Sequence, residues 1–380
     1  MKFLLIYVPN LRFNNDPYKK YNLYEFATRV TRKNKDNVSN LPLTISAQYG
    51  LVDQVSFFNK TVASKDMSGY YLLKNGEFAY NKSYSNDYPW GAIKRLDLYD
   101  MGCLSTLYIC FKTNDNIVNS NYLAHYFESS KWHKQVADIA GEGARNHGLL
   151  NIAVNDFFNT KHAVPTIENQ IKIAGFLDLI EKRIQTQIKI IDDYNSLKMG
   201  IYNWMFKENY ADYKLKQLAY IVKGDQINND QLLSNGPYYM MNGGTSPSGY
   251  LDSYNVSENT ISISEGGNSC GYVQFNSSPF WSGGHCYTIQ NVNSALIENK
   301  YLYHYLKHKE KEIMNLRIGT GLPNIQKKDL ENFTIFVPNL LIQRKNLALF
   351  EMLDEKICIL NEELERLEMQ KKYLLRNMFI

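Results

Sequence analysis

The stretch VPTIENQIKIAGFLDLIEKRI at 164–184 is answered, 173 residues later, by VPNLLIQRKNLALFEMLDEKI at 337–357. The match runs upstream without a gap, where GLLNIAVNDFFNTKHAVP (148–165) faces GLPNIQKKDLENFTIFVP (321–338). Downstream it holds until Met205-Phe206 meets Met378-Phe379. Farther upstream it continues with gaps: NYLAHYF (121–127) resembles KYLYHYL (300–306), and YNLYEFA (21–27) resembles YKLKQLA (213–219). A repeat of this length sets the architecture before any motif does. The 380 residues are a tandem duplication. Each half is a variable part of roughly 130–160 residues followed by a similar tail of about 43, and the whole length suits two or three domains rather than one.

Both tails read as helices. A Val-Pro closes an extended stretch, because proline lacks an N–H and biases its predecessor away from helix. The second tail then spaces Phe350, Leu353, Ile357, Leu360, Leu364, Leu367, Lys371, Leu374 and Met378 by alternating steps of three and four. That is a heptad seam. The first tail keeps the same frame with Leu177, Ile180, Ile184, Gln187, Ile191, Tyr194, Lys198, Ile201 and Met205. Lys198 and Lys371 share one slot, and a polar seam residue costs stability while fixing register and partner. Helices of 30 to 40 residues are roughly 45–60 Å long and too apolar along one stripe to stand alone. The pattern predicts that they pair antiparallel.

The variable parts carry short strands punctuated by glycine and polar residues: LPLTISAQYGLV (41–52), GEFAYNKS (76–83), CLSTLYICFK (103–112), NTISISEGG (259–267) and CYTIQ (286–290). YLAHYFESSKWHKQVADIA (122–140) and YLYHYLKHKEKEIMNL (301–316) read as one helix each. The expected fold class is α+β. Globular parts at 1–163 and 209–336 are separated by spacer helices at 164–208 and 337–380, which form an antiparallel coiled coil with pseudo-two-fold symmetry.

Composition narrows the classes. No run reaches the roughly 18 apolar residues of a membrane span, and the opening FLLIYV breaks at Pro9, too short for a secretion signal. Five scattered cysteines with no CxxC pair read as reduced core thiols of a cytoplasmic protein. The net charge of +4 is mild, but its distribution is uneven. Residues 1–163 hold 19 Lys/Arg against 14 Asp/Glu, whereas 207–336 hold 11 against 12, so the second part cannot bind a polyanion by charge alone.

Catalytic signatures are missing. There is no GxxxxGK[ST] and no GxGxxG after a strand. GEGARNHG (141–148) and SEGGNSCG (264–271) are spaced as turns. His304 and His308 stand at i, i+4 without a Cys or carboxylate at ligand spacing, and read as a surface pair rather than a metal site. His285-Cys286 reads as a strand start rather than a nucleophile. Asp16-Pro17-Tyr18 lacks the second proline of the amino-methyltransferase motif, and no cofactor loop precedes it.

Taken together, the two Val-Pro-initiated heptad helices, the QxK near their starts (Gln170 and Lys172, Gln343 and Lys345) and the segments RNHGLLNI (145–152) and RIGTGLPNI (317–325) resemble one family. It is the specificity (S) subunit of type I restriction-modification systems. The first segment departs from the family form by lacking Thr-Gly and Pro, and MKFLLIY at the start departs as well. The resemblance implies a non-catalytic reader of double-stranded DNA. Each globular part would be a target recognition domain for one half of a bipartite site, with half-sites about 34–36 Å apart along one face. The helices would set the gap and dock two methyltransferase subunits, which restriction subunits join. It implies no cofactor in this chain, with S-adenosylmethionine and ATP/Mg held by those partners. A coiled-coil adaptor without DNA and a DNA methyltransferase are the competing classes.

Base edges call for forked or amide donors, and phosphates for cations, hydroxyls or backbone amides. In the first part the candidates are Lys82, Ser83, Tyr84 and Asn86, with Lys94, Arg95, Arg145 and Asn146. In the second they are Gly266, Gly267, Asn268 and Ser269, with Arg317, Thr320 and Asn324.

Overall fold

A computed structural model describes residues 18–46, 49–60, 63–85, 88–141, 148–206, 210–319, 321 and 323–379. The chain divides into two compact units, Met1–Thr186 with Leu364–Ile380, and Gln187–Glu363. Each therefore holds a mixed α+β head and a share of both long helices, Ile167–Met205 and Leu340–Met378.

The first head is built on a four-stranded antiparallel sheet in the spatial order Ala27–Arg29, Ile109–Thr113, Phe78–Asn81, Ala92–Arg95. The second repeats that order with Tyr220–Lys223, Cys286–Gln290, Thr260–Ser264 and Val273–Asn276. A helix covers each sheet and buries tyrosines at equivalent places: Tyr122 and Tyr126 from Ser120–Glu128, Tyr301 and Tyr305 from Asn299–His308. A two-stranded ribbon closes each head, Lys19–Asn22 on Lys161–Val164 and Ala211–Lys214 on Thr334–Val337. The chain then enters a single helical turn whose first free amide is met by a side chain three residues on. The Asn22 amide donates to Glu25 Oε2, and the Lys214 amide to Gln217 Oε1, both at 2.6 Å.

The divergence lies in smaller lobes. The first unit adds the pairs Leu43–Ser46/Gly50–Asp53 and Tyr71–Lys74/Met101–Leu104, so CLSTLYICFK spans two strands rather than one. The second adds a three-stranded sheet of Tyr238–Met241, Gly249–Leu251 and Trp281–Ser282. The helices expected to be continuous over 122–140 and 301–316 each break in two. At the first break Ser129 turns extended and its hydroxyl donates to the Tyr126 carbonyl, which ends the ladder.

The heptad frame holds throughout. Leu177, Ile184, Ile191, Phe350, Leu353, Leu360, Leu367 and Leu374 are buried, and Ile180, Lys198, Ile357, Leu364 and Lys371 are half-buried. Within the second unit the helices run antiparallel: Gln187 Nε2 donates to the Leu360 carbonyl at 2.8 Å, Lys198 pairs with Asp354, and the Tyr202 ring meets Phe350. Within the first, Lys371 pairs with Glu181. Asp354 and Glu181 occupy one position of the repeat at the 173-residue offset, so the shared lysine slot meets a shared acid. Burial pushes the Glu181 carboxyl up, but Lys371, Gln185 and His125 outweigh it and hold the group below its ordinary range.

Among the described residues, His162 and His304 are buried. His162 lies between the Tyr126 hydroxyl at 3.0 Å and Thr160 Oγ1 at 2.8 Å. His304 is not a surface residue: it is 3% exposed and its Nδ1 meets the Tyr202 hydroxyl at 2.8 Å. Burial pushes both down to about 4, with Asp354 opposing and Lys198 assisting at His304. Because the folded value lies below the unfolded one near 6.5, the unfolded chain takes up protons first as pH falls. Stability should therefore decline from about pH 6.5 toward 4, by up to about 3 kcal/mol per histidine. Urea midpoints across that range should flatten in His162→Gln; an unaltered slope would contradict the assignment. Four cysteines are buried free thiols, while Cys358 is exposed on the second long helix, outside the expected core set.

Candidate nucleic-acid interface

Each long helix is tied to its head by one glutamine. Gln170 accepts from the Asn119 amide at 2.7 Å and donates to the Ile117 and Pro165 carbonyls. Gln343 accepts from the Glu298 amide and donates to the Leu296 and Pro338 carbonyls, all at 2.8 Å. Both are buried. The QxK glutamine is thus a staple that holds the head on the helix start and saturates backbone groups there.

Above this shared base, the hairpin connecting the third and fourth strands of each sheet faces the segment that precedes the long helix. In the first unit Ser83 pairs with Leu149, the Leu150 amide donates to the Lys82 carbonyl, and the Tyr84 amide to the Gly148 carbonyl. In the second Gly266 pairs with Asn324, the Ile325 amide donates to the Glu265 carbonyl, and the Gly267 amide to the Pro323 carbonyl. The two predicted stretches of each half therefore lie side by side. Gly267, at φ +77, turns the second hairpin where a side chain would be strained.

The individual candidates separate into two groups. Ser83, Tyr84, Asn268, Arg317 and Asn324 are exposed; Lys82, Gly266, Gly267 and Ser269 are half-buried. All nine lie on or beside these loops. Lys94 and Arg95 do not reach that surface freely. Lys94 is paired with Glu128, and Arg95 is held by Asp97 at 2.7 Å, Ser120 at 3.0 Å and Asn121 at 2.7 Å. These two tie the sheet to its covering helix. Asn86, Arg145, Asn146 and Thr320 lie outside the described residues.

A residue that sequence reasoning passed over is Glu265. It opens the second hairpin at the floor of a cleft lined by Lys223, Gly243, Gly266, His285 and Asn324. Its Oε1 accepts from Lys223 Nζ at 2.6 Å and the Tyr287 hydroxyl at 3.1 Å. Burial, then the Glu265 charge, pushes the Tyr287 phenol well above its ordinary range, so it remains a donor. The signal available was a lone acid inside SEGGNSCG, masked by reading the glycines as a turn. Among the described residues no cluster of three His, Cys, Asp or Glu is placed to hold a metal ion, and no helix is long and apolar enough to cross a membrane.

Residues 207–369 match the family described as the type I restriction modification DNA specificity domain. A Mycoplasma pneumoniae protein named as a type I specificity subunit is 33% identical over 158 residues, 41% of this chain and 42% of that protein. A Mycoplasma genitalium protein named likewise is 32% identical over 127 residues, a third of each chain. The matched stretches span less than half the length of these relatives. Among solved structures, an S subunit of a type I restriction-modification system from M. genitalium shares the fold over 98% of this chain and 99% of its own, with a TM-score of 0.62 at 17% identity. A structure described under complex assembly and conformational transition of the type I system covers 94% and 96%, with a TM-score of 0.59 at 17% identity. The expected resemblance and the α+β two-headed fold with two long helices are borne out.

Proposed function

We propose that this chain, whose residues 207–369 carry a type I restriction modification DNA specificity domain on the fold of an S subunit, is the non-catalytic reader of a bipartite double-stranded DNA site. Each head takes one half-site through its hairpin and the segment before its long helix. The two helices set the gap between half-sites and dock two methyltransferase subunits, on which restriction subunits assemble in the cytoplasm. Partner subunits would hold S-adenosylmethionine and ATP with magnesium.

One observation carries this reading. The same sheet order and the same glutamine staple recur in both units, while the loops above them differ in sequence. A pure adaptor has no use for a constant base that presents two different loop surfaces. A reader of an asymmetric site has. The near-neutral second head supports dependence on partners, since counterion release alone gives it little affinity.

The test is a gel-shift selection of random DNA by the chain assembled with its methyltransferase partner. The expected outcome is an asymmetric site in two parts with a fixed unread gap. Retained DNA with no bipartite preference would favour the adaptor.

A further inference from the structure

Glu265 is 7% exposed, and its Oε2 is buried without a hydrogen-bond partner. His285 Nδ1 stands 3.7 Å from it, beyond hydrogen-bond reach, on a side chain that is itself 60% exposed. An unsatisfied carboxylate oxygen in a cleft is costly to maintain. The residue lines the cleft, and the His285 ring is beside this buried oxygen. Lys223 and Tyr287 hold the other oxygen, and the rim is bare backbone at Gly243-Gly244 and Gly266-Gly267. The His285 turn is packed as tightly as glycine permits: a Cβ on Gly283 would stand 2.6 Å from Asn242 Oδ1, which receives the His285 amide.

The first unit fills the same place with the opposite charge. Lys82 follows the third sheet strand as Glu265 does, its carbonyl likewise receives an amide from the pre-helix segment, and the next residue bridges to that segment, with partners two residues out of register along the repeat. Among the described residues its ammonium makes a long contact of 3.5 Å to the Ile152 carbonyl. One position of the repeat thus presents an acceptor in one head and a donor in the other.

We infer that this paired position, Lys82 and Glu265, is a base-selecting position of each recognition head, a step that rests on the DNA-reader assignment above. Glu265 Oε2 accepts from the exocyclic amino group of a base in the major groove, cytosine N4 being the usual partner of a carboxylate. The exposed His285 ring swings aside to admit it. Lys82 donates to an acceptor edge, as guanine O6 and N7 offer.

Wild-type chain, Glu265→Gln and Lys82→Gln, each assembled with the methyltransferase partner, would be compared by selection from random DNA. In Glu265→Gln one base pair of one half-site should lose preference by on the order of 10- to 100-fold, with the other half-site and the gap unchanged. Lys82→Gln, which removes the long contact to the Ile152 carbonyl, should do the same in the opposite half-site. Profiles identical to wild type overturn the inference. So does uniform weakening of a whole half-site, the mark of a structural role. A wild-type complex that selects no bipartite site instead sinks the reader assignment itself, before any substitution is made.

Discussion

Gln343→Ala should destabilise the second unit by about 3 to 5 kcal/mol. The side chain is fully buried and makes three hydrogen bonds of 2.8 Å, every one to a backbone group. Alanine leaves the Glu298 amide and the Leu296 and Pro338 carbonyls without that partner, and each buried orphan costs about 1–3 kcal/mol. Against a typical domain stability of about 5–15 kcal/mol such a loss is severe. Gln343→Glu should not rescue it, because a carboxylate keeps one acceptor bond but brings a charge to a site that needs two donors. Denaturant unfolding should show the loss, matched by Gln170→Ala in the first unit. A change below about 1 kcal/mol would mean that water takes over these groups.

Phe206→Ala should cost about 3–5 kcal/mol, the range for deleting a buried aromatic ring. The ring ends the first long helix against Tyr301 at 5.4 Å and Tyr305 at 5.1 Å, with Phe350 at 5.5 Å. Phe379 does the same for the second helix, against Tyr122 at 5.3 Å and Tyr126 at 5.7 Å. Each helix is therefore pinned at its start by a glutamine and at its end by a phenylalanine. Phe206→Ala should also raise hydrogen exchange in the last turns of its helix, and Phe206→Leu should recover much of the loss. Exchange unchanged in those turns would contradict the pinning role.

The repeat, the two long helices and their frame were legible because each rests on periodicity or on an offset within the chain. What was not legible depends on partners that sequence spacing does not join. Lys94 meets Glu128 only because the helix folds back over the sheet. His304 is buried by Tyr202, about a hundred residues earlier on another helix. The QxK glutamines were visible as a pattern, but their three backbone partners lie on a loop some 45 to 53 residues away and beside the preceding proline. Glu265 matters through an unpaired oxygen, which no composition of a glycine-rich turn reveals.

In the proposed division of labour, loops read and helices set the gap. The most direct test of this division removes one heptad from each long helix, residues 184–190 and 357–363, which keeps the seam in frame in both. Seven residues amount to about 10 Å of helix, or roughly three base pairs at 3.4 Å each. Selection from random DNA by the shortened chain with its methyltransferase partner should return the wild-type half-sites, separated by a gap about three base pairs shorter. The wild-type gap, selected unchanged by a shortened and stably folded chain, would contradict the account.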